Sequence, residues 1–211
     1  MRKILAVIAA VPLFALVAGA TDYPKYETFL GYNFVRFNPN SNFIPSFNAN
    51  GGSGQFIYNL NKWIGAAVDL GAVTKGTLNG FNVDTTVINF VAGPRLTYHN
   101  HSRFTPFAQV LFGGAYATAS APIGLTGGEI VPPFVTLLPG AISARLNVSH
   151  TGFAMFAGGG LDIKLNKHIA FRPVCADYYL ARMPSFLTTG DNTNRNNFRY
   201  SGGVVFMFGA R

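Results

Sequence analysis

The sequence predicts an all-β fold, an eight-stranded antiparallel up-and-down transmembrane β-barrel with short turns at one end and long loops at the other. Stretches of about ten residues alternate apolar with small or polar side chains at period two. The connections between them alternate short and long. Within each stretch the charges share a face with glycines. Composition agrees: mean hydropathy is +0.25 over 211 residues with 14% aromatic and 11% charged side chains. Yet after the first segment nothing approaches the run of about 20 apolar residues that a membrane helix needs.

Residues 1–20 stand apart. Arg2 and Lys3 precede "ILAVIAAVPLFALVAGA", and Ala18-Gly19-Ala20 supplies the small residues of a signal-peptidase site. Residues 1–20 are therefore expected to be a removed signal peptide and 21–211 the barrel domain. No cysteine lies near the cut, so lipid attachment there is not expected. Cys175 is the single cysteine, which excludes an intramolecular disulfide and reads as packing.

Strands are expected near 27–37, 53–61, 63–73, 85–98, 104–117, 151–165, 168–182 and 197–208. In Ile64–Ala72, the residues Ile64, Ala66, Val68, Leu70 and Ala72 oppose Gly65, Ala67, Asp69 and Gly71. From Ile88 to Leu96, Ile88, Phe90, Ala92 and Leu96 oppose Asn89, Val91 and Arg95, and Phe153, Met155 and Leu161 oppose Ala154, Phe156 and Asp162. Asn61-Lys62, His99–Arg103 and Asn166-Lys167 read as tight periplasmic turns, and 38–52, 74–84, 118–150 and 183–196 as outer loops. Ten residues rising about 3.3 Å each at 45° climb about 23 Å, close to the apolar height of an outer-membrane barrel.

Cost decides which face meets lipid, because a midplane Arg or Lys costs about 2–4 kcal/mol there. Glu27, Asp69, Arg95, Asp162, Lys164, Arg172 and Arg199 should point inward. Leu30, Tyr32, Phe34, Phe56, Tyr58, Val68, Phe90, Phe112, Tyr116, Tyr200, Phe206 and Phe208 should point outward, with Tyr32, Tyr98, Tyr116, Tyr200 and Trp63 in the aromatic girdles. Arg172 and Asp177 are five residues apart, so strict pleating separates them. A β-bulge near Pro173–Ala176, or Asp177 at the extracellular rim, resolves the conflict.

"SGGVVFMF" at Ser201–Phe208 matches the polar–x–Gly–x–x–apolar–x–apolar pattern of the last strand in bacterial outer-membrane barrels. With "YETFLGYNFVRF" at Tyr26–Phe37 and "RPVCADYYL" at Arg172–Leu180, the chain resembles the OmpA-like eight-stranded outer-membrane barrel family. That resemblance implies that Ser201–Phe208 is read by the barrel assembly machinery. Here Gly209, Ala210 and Arg211 follow the aromatic that usually ends such chains.

The candidates for chemistry are few. His99 and His101 have a metal-ligand spacing but no cysteine or acid beside them, and are read as solvated turn residues. Some eight-stranded barrels hydrolyse lipids with Ser, His and an acid, for which Ser149, His150 and Glu129 are the candidates. Adjacent strand residues, however, face opposite ways. "GGSG" at Gly51–Gly54 reads as flexible loop and "GGG" at Gly158–Gly160 as close strand packing, neither matching a phosphate loop. Phe29, Ile57, Phe107, Leu111 and Phe156 are expected inside with the charges, plugging a lumen just wide enough for side chains. No catalytic, cofactor or metal residues are assigned, and no cofactor is expected.

The net charge of +8 becomes +6 without Arg2 and Lys3. With no basic cluster or recognition motif, nucleic acid is not an expected partner. Outer-membrane lipids and lipopolysaccharide are. Segment 118–150, with Ile130, Val131, Phe134, Val135, Leu137 and Leu138, is too apolar for a bare tip. It either folds over the barrel mouth or rests on the outer leaflet, or it offers an adhesive or apolar-ligand surface. The expectation is a non-enzymatic protein of the bacterial outer membrane, structural or surface-interacting through its outer loops. A lipid-modifying hydrolase and a soluble lipocalin-like barrel are the alternatives, the latter requiring apolar side chains inside and charges outside.

Overall fold

The computed structural model describes residues 23–38, 46–76, 84–99, 102–126, 129–131, 142–184 and 192–209. The expected signal segment at 1–20, His101, and Phe134, Val135, Leu137 and Leu138 of the expected loop lie outside them. The strands are β1 (Tyr26–Phe37), β2 (Phe47–Asn59), β3 (Ile64–Lys75), β4 (Asp84–Thr97), β5 (Phe104–Thr126), β6 (Glu129–Val131), β7 (Ile142–Lys164), β8 (Ile169–Pro184) and β9 (Asn192–Phe208). All pairings are antiparallel. The sheet runs β4-β3-β2-β1-β9-β8-β7-β5, and β4–β5 pairing closes it into an eight-stranded barrel with β6 appended to β5.

The alternation is plain on β3. Val68 and Leu70 are 47% and 59% exposed while Asp69 between them is 1% exposed. Leu30, Tyr32, Phe56, Phe90, Phe112, Tyr116 and Tyr200 also face outward, on the parity shared by Phe34, Tyr58, Phe206 and Phe208. At the periplasmic end the girdle is a set of ring pairs, Trp63–Tyr98 at 4.8 Å and Tyr26–Tyr58 at 5.4 Å.

Two periplasmic turns are built alike. Asn61 Oδ1 accepts from the backbone N–H groups of Trp63 and Ile64 at 2.8 and 2.9 Å. Asn166 Oδ1 accepts from those of His168 and Ile169, both at 2.8 Å. Each asparagine imitates a backbone turn and fixes the hairpin with one side chain.

The conflict between Arg172 and Asp177 is resolved by a bulge. Pairing with β9 passes from Arg172↔Gly203 to Cys175↔Ser201, and that with β7 from Ile163↔Phe171 to Leu161↔Val174. One extra residue therefore sits on β8. Pro173 and Val174 both face outward, and Arg172, Cys175 and Asp177 all face the lumen. Proline marks the place because it has no N–H to lend to a ladder. The extracellular rim position for Asp177 is thereby excluded.

Four loop boundaries need correction. β2 begins at Phe47, inside the expected loop 38–52, so Gly51–Gly54 lie in a strand. β3 and β4 extend to Lys75 and from Asp84, and β8 and β9 to Pro184 and from Asn192, shortening 74–84 and 183–196. The largest change is in 118–150: β5 and β7 are each 23 residues long and pair as far as Leu125↔Ile142. Rows of register partners explain the extension. The row Tyr32, Gly52, Ala72, Ile88, Tyr116 is aromatic, aliphatic or small, and the next row outward is Phe34, Asn50, Thr74, Thr86, Thr118 and Ser149. Beyond that boundary the parity that met lipid becomes polar.

The boundary makes a direct prediction. Val68→Arg should lower the unfolding free energy in vesicles by about 2–4 kcal/mol, whereas Thr74→Arg, on the same parity above the boundary, should change it by less than 1 kcal/mol, about the limit for interfacial positions; reversible urea unfolding reads both.

Candidate functional site

Two places can carry function, the lumen and the outer hairpin. Among the described residues seven charged side chains are buried in the lumen: Arg95, Arg172, Arg199, Glu27, Asp69, Asp162 and Asp177. Arg95 Nη2 and Arg172 Nη2 both donate to Asp162 Oδ2, at 2.8 and 2.9 Å, and Arg172 Nε donates to Oδ1 at 2.6 Å. Arg199 lies between two carboxylates, donating to Asp69 Oδ1 and Asp177 Oδ2, each at 2.8 Å.

Two glutamines join these groups. Gln55 Oε1 accepts from Arg95 at 3.0 Å and Arg172 at 3.1 Å, and its Nε2 donates to Gln109 Oε1 at 3.0 Å. Gln109 Nε2 continues to Asp177 at 3.1 Å. The hydrogen bonds thus cross the barrel from β4 to β9.

The guanidinium planes are also packed on rings. Arg95 lies 3.6 Å from the Phe107 centroid, Arg172 lies 4.3 Å from Phe107 and 4.4 Å from Phe29, and Arg199 lies 4.0 Å from Phe156. Cation–π contact between buried groups adds to the ion pairing. Toward the extracellular end Phe37, Phe156 and Tyr179 stack edge to face, at 6.0 and 4.7 Å, within an apolar cluster. Phe29, Val205 and Met207 fill the periplasmic side. Near them a cavity of about 10 Å³, lined by Glu27, His99, Thr105 and Lys164 among others, has room for one water. The expected inward charges and plugging aromatics are therefore in place, Lys164 at the periplasmic edge.

His99 requires a correction. Its side chain is only 4% exposed, with Nε2 3.2 Å from Glu27 Oε1 and Nδ1 3.0 Å from the Lys62 carbonyl oxygen. It ties one periplasmic turn to another and to β1. Asn59 Nδ2 also donates to Glu27 Oε1, at 2.6 Å. A charged partner inside the barrel captures what the sequence placed in solvent.

The hydrolase constellation does not assemble. Ser149 and His150 are consecutive residues of the continuous strand β7, Ser149 exposed and His150 half-buried. Glu129 pairs with Thr126 and Ser149 with Thr118, a separation of eight residues along β5, about 26 Å at the usual strand rise. Gly158–Gly160 are tightly packed, as expected: a Cβ on them would strike the backbones of Ala176, Phe107 and Val174. Among the described residues no cluster of His, Cys, Asp and Glu could hold a metal ion.

The hairpin is the second place. Among the described residues the outermost β4–β5 pair is Asp84↔Ser120 and the outermost β7–β8 pair is Phe153↔Arg182. β5 and β7 continue as a ribbon with β6 paired at Gly124–Thr126. On one parity the register joins Ala119 with Val148, Ala121 with Leu146, Ile123 with Ala144 and Leu125 with Ile142. On the other it joins Ser120 with Asn147, Pro122 with Arg145 and Gly124 with Ser143. The ribbon is amphipathic with the parity of the barrel reversed.

No family model matches the chain, and no curated protein matches its sequence. Solved structures match its fold. Ail, the attachment invasion locus protein of Yersinia pestis, aligns over 88% of this chain and 99% of its own, with a TM-score of 0.56 and 14% identity. Ail in complex with the heparin analogue sucrose octasulfate gives 0.54 over 87% of this chain and 99% of its own, at 15% identity. Neisserial surface protein A gives 0.51 over 90% and 99%, at 14% identity. The architecture shared with these outer-membrane proteins is the closed eight-stranded antiparallel β-barrel. A lipid-wetted exterior around an ionic lumen has the opposite polarity to a soluble barrel, so the lipocalin-like alternative falls.

Arg199→Ala leaves Asp69 and Asp177 without their guanidinium partner and should cost about 3–5 kcal/mol of unfolding free energy. Lys164→Ala, at the half-open periplasmic edge, should cost less than half of that in the same unfolding assay. Planar bilayers containing the intact protein should show no stepwise conductance.

Proposed function

We propose that this integral outer-membrane β-barrel is a non-enzymatic surface-interaction protein. The barrel serves as a rigid anchor, and the β5–β6–β7 ribbon is the part that meets a partner. One observation carries the reading: two paired 23-residue strands run well beyond the last pairings with their barrel neighbours. A strand of that length spans about 76 Å, far more than an apolar band about 25 Å tall requires. A chain with no function outside the membrane has no need of the excess.

The sealed lumen supports the same reading, because a barrel filled by cross-lumen ion pairs is built to be stable rather than to conduct. The name of the attachment invasion locus protein, whose fold the chain shares, also points toward contact with other surfaces. Ser201–Phe208 acts in assembly, presenting its terminal-strand pattern to the barrel assembly machinery.

Ser120 and Asn147 are register partners, so residues 121–146 can be replaced by an Asn-Gly turn that closes the shortened hairpin in register. Bacteria displaying the full chain should adhere to cultured host cells more than bacteria displaying the shortened one. Heat-modifiable mobility should show that both are folded. Equal adherence by the two forms contradicts the proposal. So does turnover of phospholipid or lipid A by the purified protein that is lost in Ser149→Ala.

A further inference from the structure

Two strand edges rise beyond the barrel, and the fold treats them differently. The Lys164 N–H donates to the Arg103 oxygen at 2.7 Å, and the β5–β7 register runs unbroken from there to Leu125↔Ile142. Even-numbered residues of β7 therefore direct their backbone groups to β5, and odd-numbered ones direct theirs to the opposite edge. In β5 the phase is reversed: the Tyr98 N–H donates to the Pro106 oxygen at 3.0 Å, so the even positions face β4. That edge of β5 is blunted along its outer length. β4 covers it as far as Ser120 and β6 covers it at Gly124–Thr126. Between them the even position is Pro122, which has no N–H to offer.

The outer edge of β7 has no such cover among the described residues. Its ladder with β8 ends at Phe153↔Arg182. The same register would next set Thr151 against Pro184, whose missing N–H cannot extend the ladder. Ser143, Arg145, Asn147, Ser149 and Thr151 are left with N–H and C=O groups directed off the sheet. The segment Ile142–Gly152 reads "ISARLNVSHTG". It holds no proline, lysine or acid, and its register has no bulge, so it lacks the devices with which natural edges resist pairing.

We propose that this edge joins, antiparallel, the same edge of a second copy held in a facing membrane. The proposal rests on the ribbon being a contact surface and adds this chain itself to what the ribbon meets. A two-fold axis through Asn147 pairs Ser143 with Thr151, Arg145 with Ser149 and Asn147 with its own equivalent. All five residues then exchange both of their backbone hydrogen bonds. The segment's one charged residue, Arg145, falls opposite Ser149 and not opposite a second arginine, and Leu146 falls opposite Val148 on the other parity. Antiparallel strands point in opposite directions, so the second barrel hangs from a facing surface. Two copies in one membrane, related by an axis along its normal, both point outward and cannot form this joint. Asn147 lies six residues beyond Phe153, the last position braced by β8, or about 20 Å of strand. The joint therefore spans up to about 40 Å between the two barrel walls.

Cells of a strain without long surface polysaccharide should settle from suspension several-fold faster when they display the full chain. Two separately grown populations carrying Asn147→Cys with different epitope tags, mixed and oxidised, should yield a disulfide dimer containing both tags, since paired strand positions lie within disulfide reach. Ser143→Cys mixed with Thr151→Cys should do the same, and Ser143→Cys alone should not. Cys175 is buried and stays out of the reaction. Asn147→Pro removes an N–H of the open edge only, and Asn147→Lys sets two cations face to face. Each should abolish the settling in protein that heat-modifiable mobility shows to be folded, and Asn147→Lys decides if the proline variant fails to fold. Absence of the mixed dimer, dimers of a single tag only, equal cross-linking by Ser143→Cys alone, or unchanged settling in the folded variants overturns the proposal. If host-cell adherence needs residues 121–146 but no settling occurs, this inference falls and the proposed function stands. Host-cell adherence lost in Asn147→Pro without any settling gives the edge to a strand of another protein and overturns it too.

Discussion

The cost of leaving a charge in hydrocarbon organises this molecule. Between the girdles the ionised and amide side chains lie on the inward parity of the strands, and closure of the sheet gathers them into a single enclosed column. There they would still be expensive, because burial strips their hydration. Their positions make them mutually compensating. Asp162 serves Arg95 and Arg172, Arg199 serves Asp69 and Asp177, and Glu27 is held by Asn59 and His99 with Arg95 at 3.8 Å.

The column also ties strands that are not neighbours. Arg199 of β9 reaches Asp69 of β3, Arg95 of β4 reaches Asp162 of β7, and Gln55 of β2 reaches Gln109 of β5. A slip of one residue in any pairing would turn a strand's inner set toward lipid. Ion pairing therefore specifies the register along with the lipid. The bulge on β8 belongs to this constraint, since without the extra residue either Arg172 or Asp177 would face acyl chains.

The inward charges were legible in the sequence because an Asp or Arg on the lipid face is prohibitive, and so were the outward aromatics and the bulge. Gln55 and Gln109, which carry the network across the lumen, were not, because a neutral amide on an inward parity gives no sign of its partner. His99 was hidden by its place in a turn, since its acceptor Glu27 lies 72 residues away in sequence. The long ends of β5 and β7 escaped for another reason. At Thr118 the apolar parity changes over, so an alternation followed from the membrane loses phase, and Pro122 and Gly124 then resemble loop. The start of β2 was obscured in the same way by Asn48, Asn50 and the glycines, residue types that also suit a loop.

The inside-out assignment of the wall is tested most directly by nitroxide labels placed singly at each residue from Ile64 to Ala72 of β3 in the protein folded into lipid vesicles. Collision with dissolved oxygen should be high at 64, 66, 68, 70 and 72 and low at 65, 67, 69 and 71, with water-soluble nickel chelate excluded from the first set. High nickel access at Val68 and Leu70, or oxygen access without a period of two, would contradict it.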